Sequence, residues 1–315
     1  MFNIRISFLF ISFLLLCSCE SKQEELADEL KSKKEAPEND LQRQNYFLVP
    51  EIPDSIHFVD QWIDLTDTDL RERFDRELIV NNFWHSNTIL YLKRANRWFP
   101  LMSSILKEEN VPEDMLYLAV IESGLTQATS PSGARGFWQF MEPTARGFGL
   151  EINNEIDERL HIKKSTLAAC QYLKEAHEKF DSWILAAASY NRGKGGIQSN
   201  LDRQGVESYF DLSLNSETAR YVFRILAVKA IMNDPLSFGF KIEPHQLYPP
   251  YETISVTVEK TIPDLYQWSK EQGINIKILR KLNPWIKGSK LTVQPNKEFK
   301  VDLPKNNEQL STFEG

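Results

Sequence analysis

The residue best placed to do chemistry is Glu122. It shares one helical face with Met115, Leu118 and Ala119, so a carboxyl group sits on an otherwise apolar stripe. It also falls in the last turn before Gly124, at the negative end of the helix dipole. Desolvation and the dipole both disfavour a charged carboxylate, and both raise its pKa. A carboxylic acid kept protonated near neutral pH is what general-acid cleavage of a glycosidic bond requires. A helix-terminal Glu reaching into solvent has the same local pattern, so the helix alone leaves both readings open. Other reactive residue types offer less. Cys170 recurs at helical spacing with Leu167, Leu173 and His177 and reads as a small buried apolar residue. The five histidines (57, 85, 161, 177, 245) have no metal-ligand spacing, so neither a metal nor another cofactor is expected.

Several helices must position Glu122. Pro112, followed by Glu113 and Asp114, marks the start of its own helix, which ends before Gly124. Others are expected from about Ser165 to Phe180, from after Asp181-Ser182 to Gly193, and from Ser216 to about Asn233. No strand-like alternation interrupts them, so residues 101–245 read as an α-helical domain. Residues 46–100 open with an extended Pro-rich stretch and continue with helical patterns at Asp67–Asn81 and Thr88–Phe99, a helical accessory region. Pro244 to Pro250 reads as a linker. Residues 250–304 then run strand, helix, helix, strand around Leu265, Trp268, Ile278, Leu279 and Leu282, with a polar tail at 305–315.

The residues around Glu122 form an ordered set. Ile121-Glu122-Ser123-Gly124-Leu125 is followed by Gly136-Phe137-Trp138-Gln139-Phe140-Met141, then Ala188-Ser189-Tyr190-Asn191-Arg192-Gly193, then Glu217-Thr218-Ala219-Arg220-Tyr221. This series resembles the lytic transglycosylase family of the goose-lysozyme-like superfamily, over about residues 46–240. Phe137 stands where Leu is usual, and Ser189 where Ala is usual. The resemblance implies a mainly α fold: a lysozyme-like catalytic domain, a helical N-terminal extension and a small βααβ C-terminal module. It implies Glu122 as acid and base, Ser123 orienting the reacting groups, and Gln139 lining a sugar groove. Tyr190 would hydrogen-bond the Glu122 carboxyl, Asn191 would contact substrate, and Tyr221 would back the same cleft. The implied reaction cuts the bond between N-acetylmuramic acid and N-acetylglucosamine in peptidoglycan and leaves a 1,6-anhydro end. Gly136 and Gly193 read as turn and cap residues, Trp138 and Phe140 as core, Glu217 as a first-turn complement to the dipole, and Arg192 as exposed.

Residues 251–304 resemble a LysM module, carried by Ile274-Asn275-Ile276-Lys277-Ile278-Leu279-Arg280-Lys281-Leu282-Asn283-Pro284-Trp285. The usual Gly-Asp-Thr and Pro-Gly are replaced by Glu259-Lys260-Thr261 and Pro295-Asn296, so the module is degenerate.

The 315-residue chain is 42% hydrophobic and carries a net charge of −7, which gives no general affinity for nucleic acid. Seven Trp and ten Tyr include rings that can stack on sugars, although most are expected in the core. At the N-terminus, Arg5 precedes the apolar run 6–16, too short for a comfortable membrane span. Leu16-Cys17-Ser18-Cys19 then resembles a lipobox with Cys19 as the lipidated residue; Cys17 fits less well, since Leu16 before it is not small. Residues 1–18 are thus expected to be a lipoprotein signal and 19–45 a Glu- and Lys-rich disordered tether, on a protein of the cell envelope, in the outer membrane facing the periplasm. Two other functions fit parts of the chain. A hydrolase on the same fold needs a second carboxylate, for which Glu142 and Asp157 are candidates. Asp157 also reads as an ion-pair partner of Arg159. A non-catalytic peptidoglycan-binding lipoprotein has no use for a buried acid.

Overall fold

The computed structural model describes residues 49–306; the expected signal, Cys19, the tether and most of the tail lie outside them. After an extended start, β1 (Ser55–Phe58) and β2 (Gln61–Asp64) form an antiparallel hairpin with Phe58 opposite Gln61. The helical reading of 46–100 misses this hairpin because four-residue strands are too short for alternation to register. Ile56, Phe58 and Ile63 bury its inner face. At the turn, Val59 takes a φ of 57°, unfavourable for a β-branched residue. Its N–H donates to Asp114 Oδ2 at 2.7 Å. Lys229 Nζ bonds the same carboxylate at 2.6 Å and the His57 carbonyl at 2.7 Å, so the hairpin is pinned to the helices.

Next come α1 (Thr68–Phe83), capped by Asp67, and α2 (His85–Glu108). Helix α2 runs on through Pro100, so the expected division at residue 100 falls inside one continuous helix. Pro112 precedes a 3-10 turn (Glu113–Met115) that leads into α3 (Leu116–Ser123), so it caps the turn instead of opening the α-helix. The remaining helices are α4 (Glu142–Gly147), α5 (Ile162–Phe180), α6 (Trp183–Arg192), α7 (Lys194–Gln204) and α8 (Ser216–Asn233). Asn215 and Ser182 cap α8 and α6 through their side chains. Helix α7 has no counterpart in the sequence reading, since Gly195 and Gly196 blur its pattern. The core centres on α3, where Leu118, Ala119 and Val120 are fully buried beneath α2 and α8, with α8 also packed on α1 and α6.

The C-terminal unit follows the expected order: β3 (Thr253–Val258), α9 (Leu265–Glu271), α10 (Ile276–Leu282) and β4 (Phe299–Pro304), with β3 and β4 antiparallel. Leu265, Ile278 and Leu279 are buried with Trp285, Phe299 and Val301, while Trp268 and Leu282 are only partly covered. Ile156, from the preceding domain, completes this core. The segment carrying it is held closely. The Glu155 carbonyl accepts from Lys287 N (2.7 Å) and Gly288 N (2.9 Å). Its carboxylate accepts from Thr292 N (2.7 Å) and Oγ1 (3.0 Å). Asp157 N donates to the Trp285 carbonyl at 2.8 Å. Residues 244–250 are a strap and not a free linker: Lys93, Asn96 and Arg97 of α2 hydrogen-bond the backbone of Tyr248 and Pro249.

Because Ile156 serves the core of one unit from the chain of the other, residues 50–306 should unfold as one cooperative unit. A single urea transition followed by Trp fluorescence is expected, and Ile156→Ala should lower its free energy by about 2–5 kcal/mol. Two resolved transitions would contradict this docking.

Candidate active site

Helix α3 carries Glu122 in its last turn, next to Tyr221 of α8. Gly124 closes the helix in the left-handed region, with φ +59°, and a Cβ there would lie 2.8 Å from the Tyr91 ring. Arg94 Nη1 donates to the Gly124 carbonyl at 3.0 Å, fixing the exit from the helix. The Glu122 residue is partly exposed, yet its carboxyl group is surrounded by protein. Tyr221 of α8 donates its hydroxyl to Glu122 Oε1 at 2.6 Å. Burial pushes the Glu122 pKa up to about 7, while the Tyr221 hydrogen bond and the Arg224 charge pull it down and Glu217 pushes it up. Burial also holds the Tyr221 and Tyr190 hydroxyls well above their ordinary pKa, so both remain donors.

Sequence reasoning did not identify the cation in this set. Arg224 lies one turn beyond Tyr221, on the same face of α8, and that spacing is the signal that could have found it. It lies 3.5 Å from the fully buried Glu77 of α1 and 3.4 Å from Glu217. Glu77 also binds Arg220 at 2.6 Å. The field of Arg224 at Glu122 is therefore partly neutralised, consistent with a carboxyl raised to about 7.

The loop between α3 and α4 faces the same region. Gly136 has φ +79°, and a Cβ on it would come within 2.1 Å of the Arg159 carbonyl oxygen, so no side chain fits. The loop is anchored by Asp157, fully buried, which accepts from Arg159 Nε and Nη2 at 2.9 Å and from Arg135 at 3.0 Å. Burial alone would raise the Asp157 pKa, but the hydrogen bonds and charges of Arg159 and Arg135 outweigh it and hold the carboxylate below its usual range.

Several roles carried over by resemblance differ from the observed contacts. Tyr190 does not bond Glu122; its hydroxyl donates to the Trp138 carbonyl at 2.9 Å, and Tyr221 takes the carboxyl instead. The Ser123 hydroxyl lies within donating distance of the carbonyls of Ala119 (3.1 Å) and Phe137 (2.9 Å), tying the helix to the loop. Gln139 donates its amide to the carbonyls of Ala128 (3.1 Å) and Gly136 (2.8 Å), which supports the loop. Its φ of 47° is stabilised by these bonds. Asn191 is exposed, with Oδ1 accepting from Thr218 Oγ1 at 2.9 Å. Trp138 and Phe140 are buried as core, and Arg192 is exposed. Of the two carboxylates weighed for hydrolysis, Asp157 is locked in its ion pairs, and the half-exposed Glu142 pairs with Arg146 at 2.8 Å.

Removing the Tyr221 hydrogen bond should raise the Glu122 titration midpoint further. Infrared titration of Tyr221→Phe, with Glu122→Gln used to assign the band, is expected to place it above about 7. Stability should respond to the same group. Its folded pKa exceeds its unfolded one, so the folded state holds more protons between about 4.5 and about 7. Stability therefore falls as pH rises through that window, by up to about 3 kcal/mol. Glu122→Gln should be as stable as wild type near pH 4 and more stable at pH 9 by denaturant unfolding.

Residues 101–212 match the family described as the transglycosylase SLT domain, and 254–307 match the soluble lytic transglycosylase C-terminal LysM-like domain. Membrane-bound lytic murein transglycosylase D of Escherichia coli (strain K12) is 28% identical over 232 residues, covering 70% of this chain and 49% of that protein. This chain thus spans about half the length of that curated relative. Membrane-bound lytic murein transglycosylase F of Aeromonas hydrophila is 30% identical over 127 residues, covering 37% of this chain and 24% of that protein. The solved 70 kDa soluble lytic transglycosylase of Escherichia coli aligns at 22% identity with a TM-score of 0.37, over 49% of this chain and 27% of that one. A transglycosylase SLT domain centred on the Glu122 helix, and a LysM-like domain docked beside it, make this chain a homologue of membrane-bound lytic murein transglycosylase D.

Proposed function

We propose that this chain cleaves the glycan strands of peptidoglycan without water, with Glu122 as the acid and then the base. The observation that carries the reading is the carboxyl itself: raised to about 7 by burial and held through one oxygen by Tyr221, it is protonated over a useful range of pH. The occupied state of Asp157 and Glu142 favours this over hydrolysis, which needs a second carboxylate to activate water.

In the first half-reaction, Glu122 gives its proton to the oxygen linking N-acetylmuramic acid to N-acetylglucosamine, and the C1–O bond breaks. The substrate's own N-acetyl carbonyl supports the positive charge at C1. Glu122, now a carboxylate, is stabilised by the Tyr221 hydroxyl and the Arg224 charge. It then removes the proton from the muramic C6 hydroxyl, and that oxygen closes on C1 to give the 1,6-anhydro ring. Protons balance, Glu122 is restored, and a tethered hydroxyl outcompetes water through its effective concentration. Tyr221 is a positioning residue in this scheme, and Tyr190 and Gln139 act through the loop they hold.

The envelope location belongs to the same reading. Lipidation at Cys19 would place the domain at a membrane, in the outer membrane facing the periplasm. Leu16-Cys17-Ser18-Cys19 supports this, as does the description of two relatives as membrane-bound. Among the described residues no helix is long and apolar enough to cross a membrane.

Digestion of purified sacculi, read by mass spectrometry, should yield fragments ending in 1,6-anhydromuramic acid. Glu122→Gln should reduce their formation by at least about 100-fold. Because the acid must be protonated, the rate should fall as pH rises through about 7. Reducing ends in place of anhydro ends would sink the non-hydrolytic scheme.

A further inference from the structure

Arg224 is held more loosely than the charges around it. Glu77, fully buried on α1, is gripped through Oε1 by Arg220 Nε at 2.6 Å and by its neighbour Arg76. Its other oxygen, Oε2, is buried without a hydrogen-bond partner among the described residues, and Arg224 Nε stands off from it at 3.5 Å. The second acid near Arg224, the exposed Glu217, lies 3.4 Å from Nη1. Both distances exceed the span of about 2.7–2.9 Å that a charge-assisted hydrogen bond takes. Arg224 thus stands between two carboxylates and is committed to neither. Its withdrawal would break no hydrogen bond at Glu77, whose charge Arg220 and Arg76 would still meet.

The same side chain faces Glu122. Its charge reaches the Glu122 carboxyl, the Tyr221 hydroxyl and the Tyr91 hydroxyl of α2. Arg94 also acts at Tyr91, but it is tied to the Gly124 carbonyl at 3.0 Å. Burial raises Tyr91, Tyr190 and Tyr221, so all three keep their protons where Glu122 titrates. The charges acting on the Glu122 carboxyl are those of Arg224 and Glu217, so Glu77 bears on it through the arginine. Acid and carboxylate make opposite demands on a cation. A guanidinium in contact with Glu122 from the outset would strip it of the proton it must donate. One that never left Glu77 would leave the new carboxylate in a low dielectric with a single hydroxyl to answer it. A loosely held arginine between the two positions meets both demands.

We propose that Arg224 is a charge-following positioning residue, resting between Glu77 and Glu217 while Glu122 holds its proton and turning to the Glu122 carboxylate once the proton has been given up. The assignment rests on the acid-then-base reading of Glu122 and deepens it. Arg224 makes no bond to the sugar and loses no proton. The glycosidic oxygen takes the proton from Glu122, the guanidinium follows the negative charge, and it returns when the C6 hydroxyl restores the proton. Glu77 keeps the resting position. Glu77 and Arg224 both lie outside residues 101–212, the part of the chain that matches the transglycosylase SLT domain, so the device is set by the packing of α1 on α8.

NMR of the arginine side-chain N–H groups in the full chain, between roughly pH 5 and pH 9, reads the movement directly, through the ionisation of Glu122. The Arg224 signal, identified by its loss in Arg224→Lys, should shift with a midpoint of about 7 and lose its cross-peaks to the Glu217 side chain. The Arg220 signal should stay fixed, and in Glu122→Gln the Arg224 signal should keep its low-pH position throughout. An Arg224 signal that does not titrate in wild type, that keeps its Glu217 cross-peaks, or that titrates unchanged in Glu122→Gln would overturn the proposal. The infrared midpoint of Glu122 supplies a second reading. Glu77→Gln frees the arginine and should lower that midpoint by at least about half a pH unit. Arg224→Gln should raise it, Arg224→Lys should return most of the difference, and Glu77→Gln should add nothing once Arg224 is Gln. Additive shifts in the double variant would mean that Glu77 acts without Arg224, and would sink the assignment. The spectra of wild type, Glu122→Gln and Arg224→Lys stand even if Glu77→Gln fails to fold. They report ionisation and not glycan cleavage, so they are read whether or not anhydro products form, and the two readings fail separately.

Discussion

The fold is organised around keeping one carboxyl out of water. Helix α3 is apolar along most of its length, and the segments around it exist largely to cover it and to meet the polar needs of its last turn. Among the described residues Tyr221 supplies the one hydrogen bond that the carboxyl receives, Arg94 secures the carbonyl just beyond it, and Ser123 fastens the helix to the loop opposite. Cations balanced by Glu77 and Glu217 keep the local field from forcing ionisation. Removing desolvation would return Glu122 to an ordinary acid, and the remaining contacts would have nothing to tune.

A second node, the buried Asp157, sets the shape of the loop. One of its arginines, Arg135, comes from the loop and the other, Arg159, from the chain beyond α4, and Gly136 lets the backbone approach the Arg159 carbonyl more closely than a side chain permits. The same short stretch, 155–157, is the part of the domain that enters the C-terminal module. Loop shape and module docking are thus fixed by adjacent residues, and a disturbance of one is felt at the other.

Much of this was legible in the sequence. Helical periodicity located α3, α5, α6 and α8, because long apolar stripes and side-chain caps such as Ser182 are local signals. The strand and helix order of the C-terminal unit was legible for the same reason. Spacing placed Glu122 on the apolar face of its helix, and the contacts of Tyr221 decide between burial of the carboxyl and its escape to solvent. The hairpin was not legible, since its strands are short and His57 and Lys229 meet across a separation of the chain that no local pattern records. Which tyrosine holds the carboxyl was not either. Tyr190 and Tyr221 stand in equally suggestive motifs, and only the packing of α6 and α8 decides that one hydroxyl reaches Glu122 and the other a backbone carbonyl. The backbone carbonyls to which the Ser123 hydroxyl and the Gln139 amide donate were not legible in the sequence either, because they belong to a loop with no local pattern.

The docking of the 155–157 stretch bears on the timing of assembly. Glu155 finds its partner at Thr292, 137 residues later in the chain. During synthesis from the N-terminus, every helix around Glu122 is made before Thr292, the residue that holds Glu155. The 155–157 stretch therefore gains its C-terminal partners last, and a chain cut short before residue 292 would carry the acid and the Asp157-anchored loop without the module that holds that stretch.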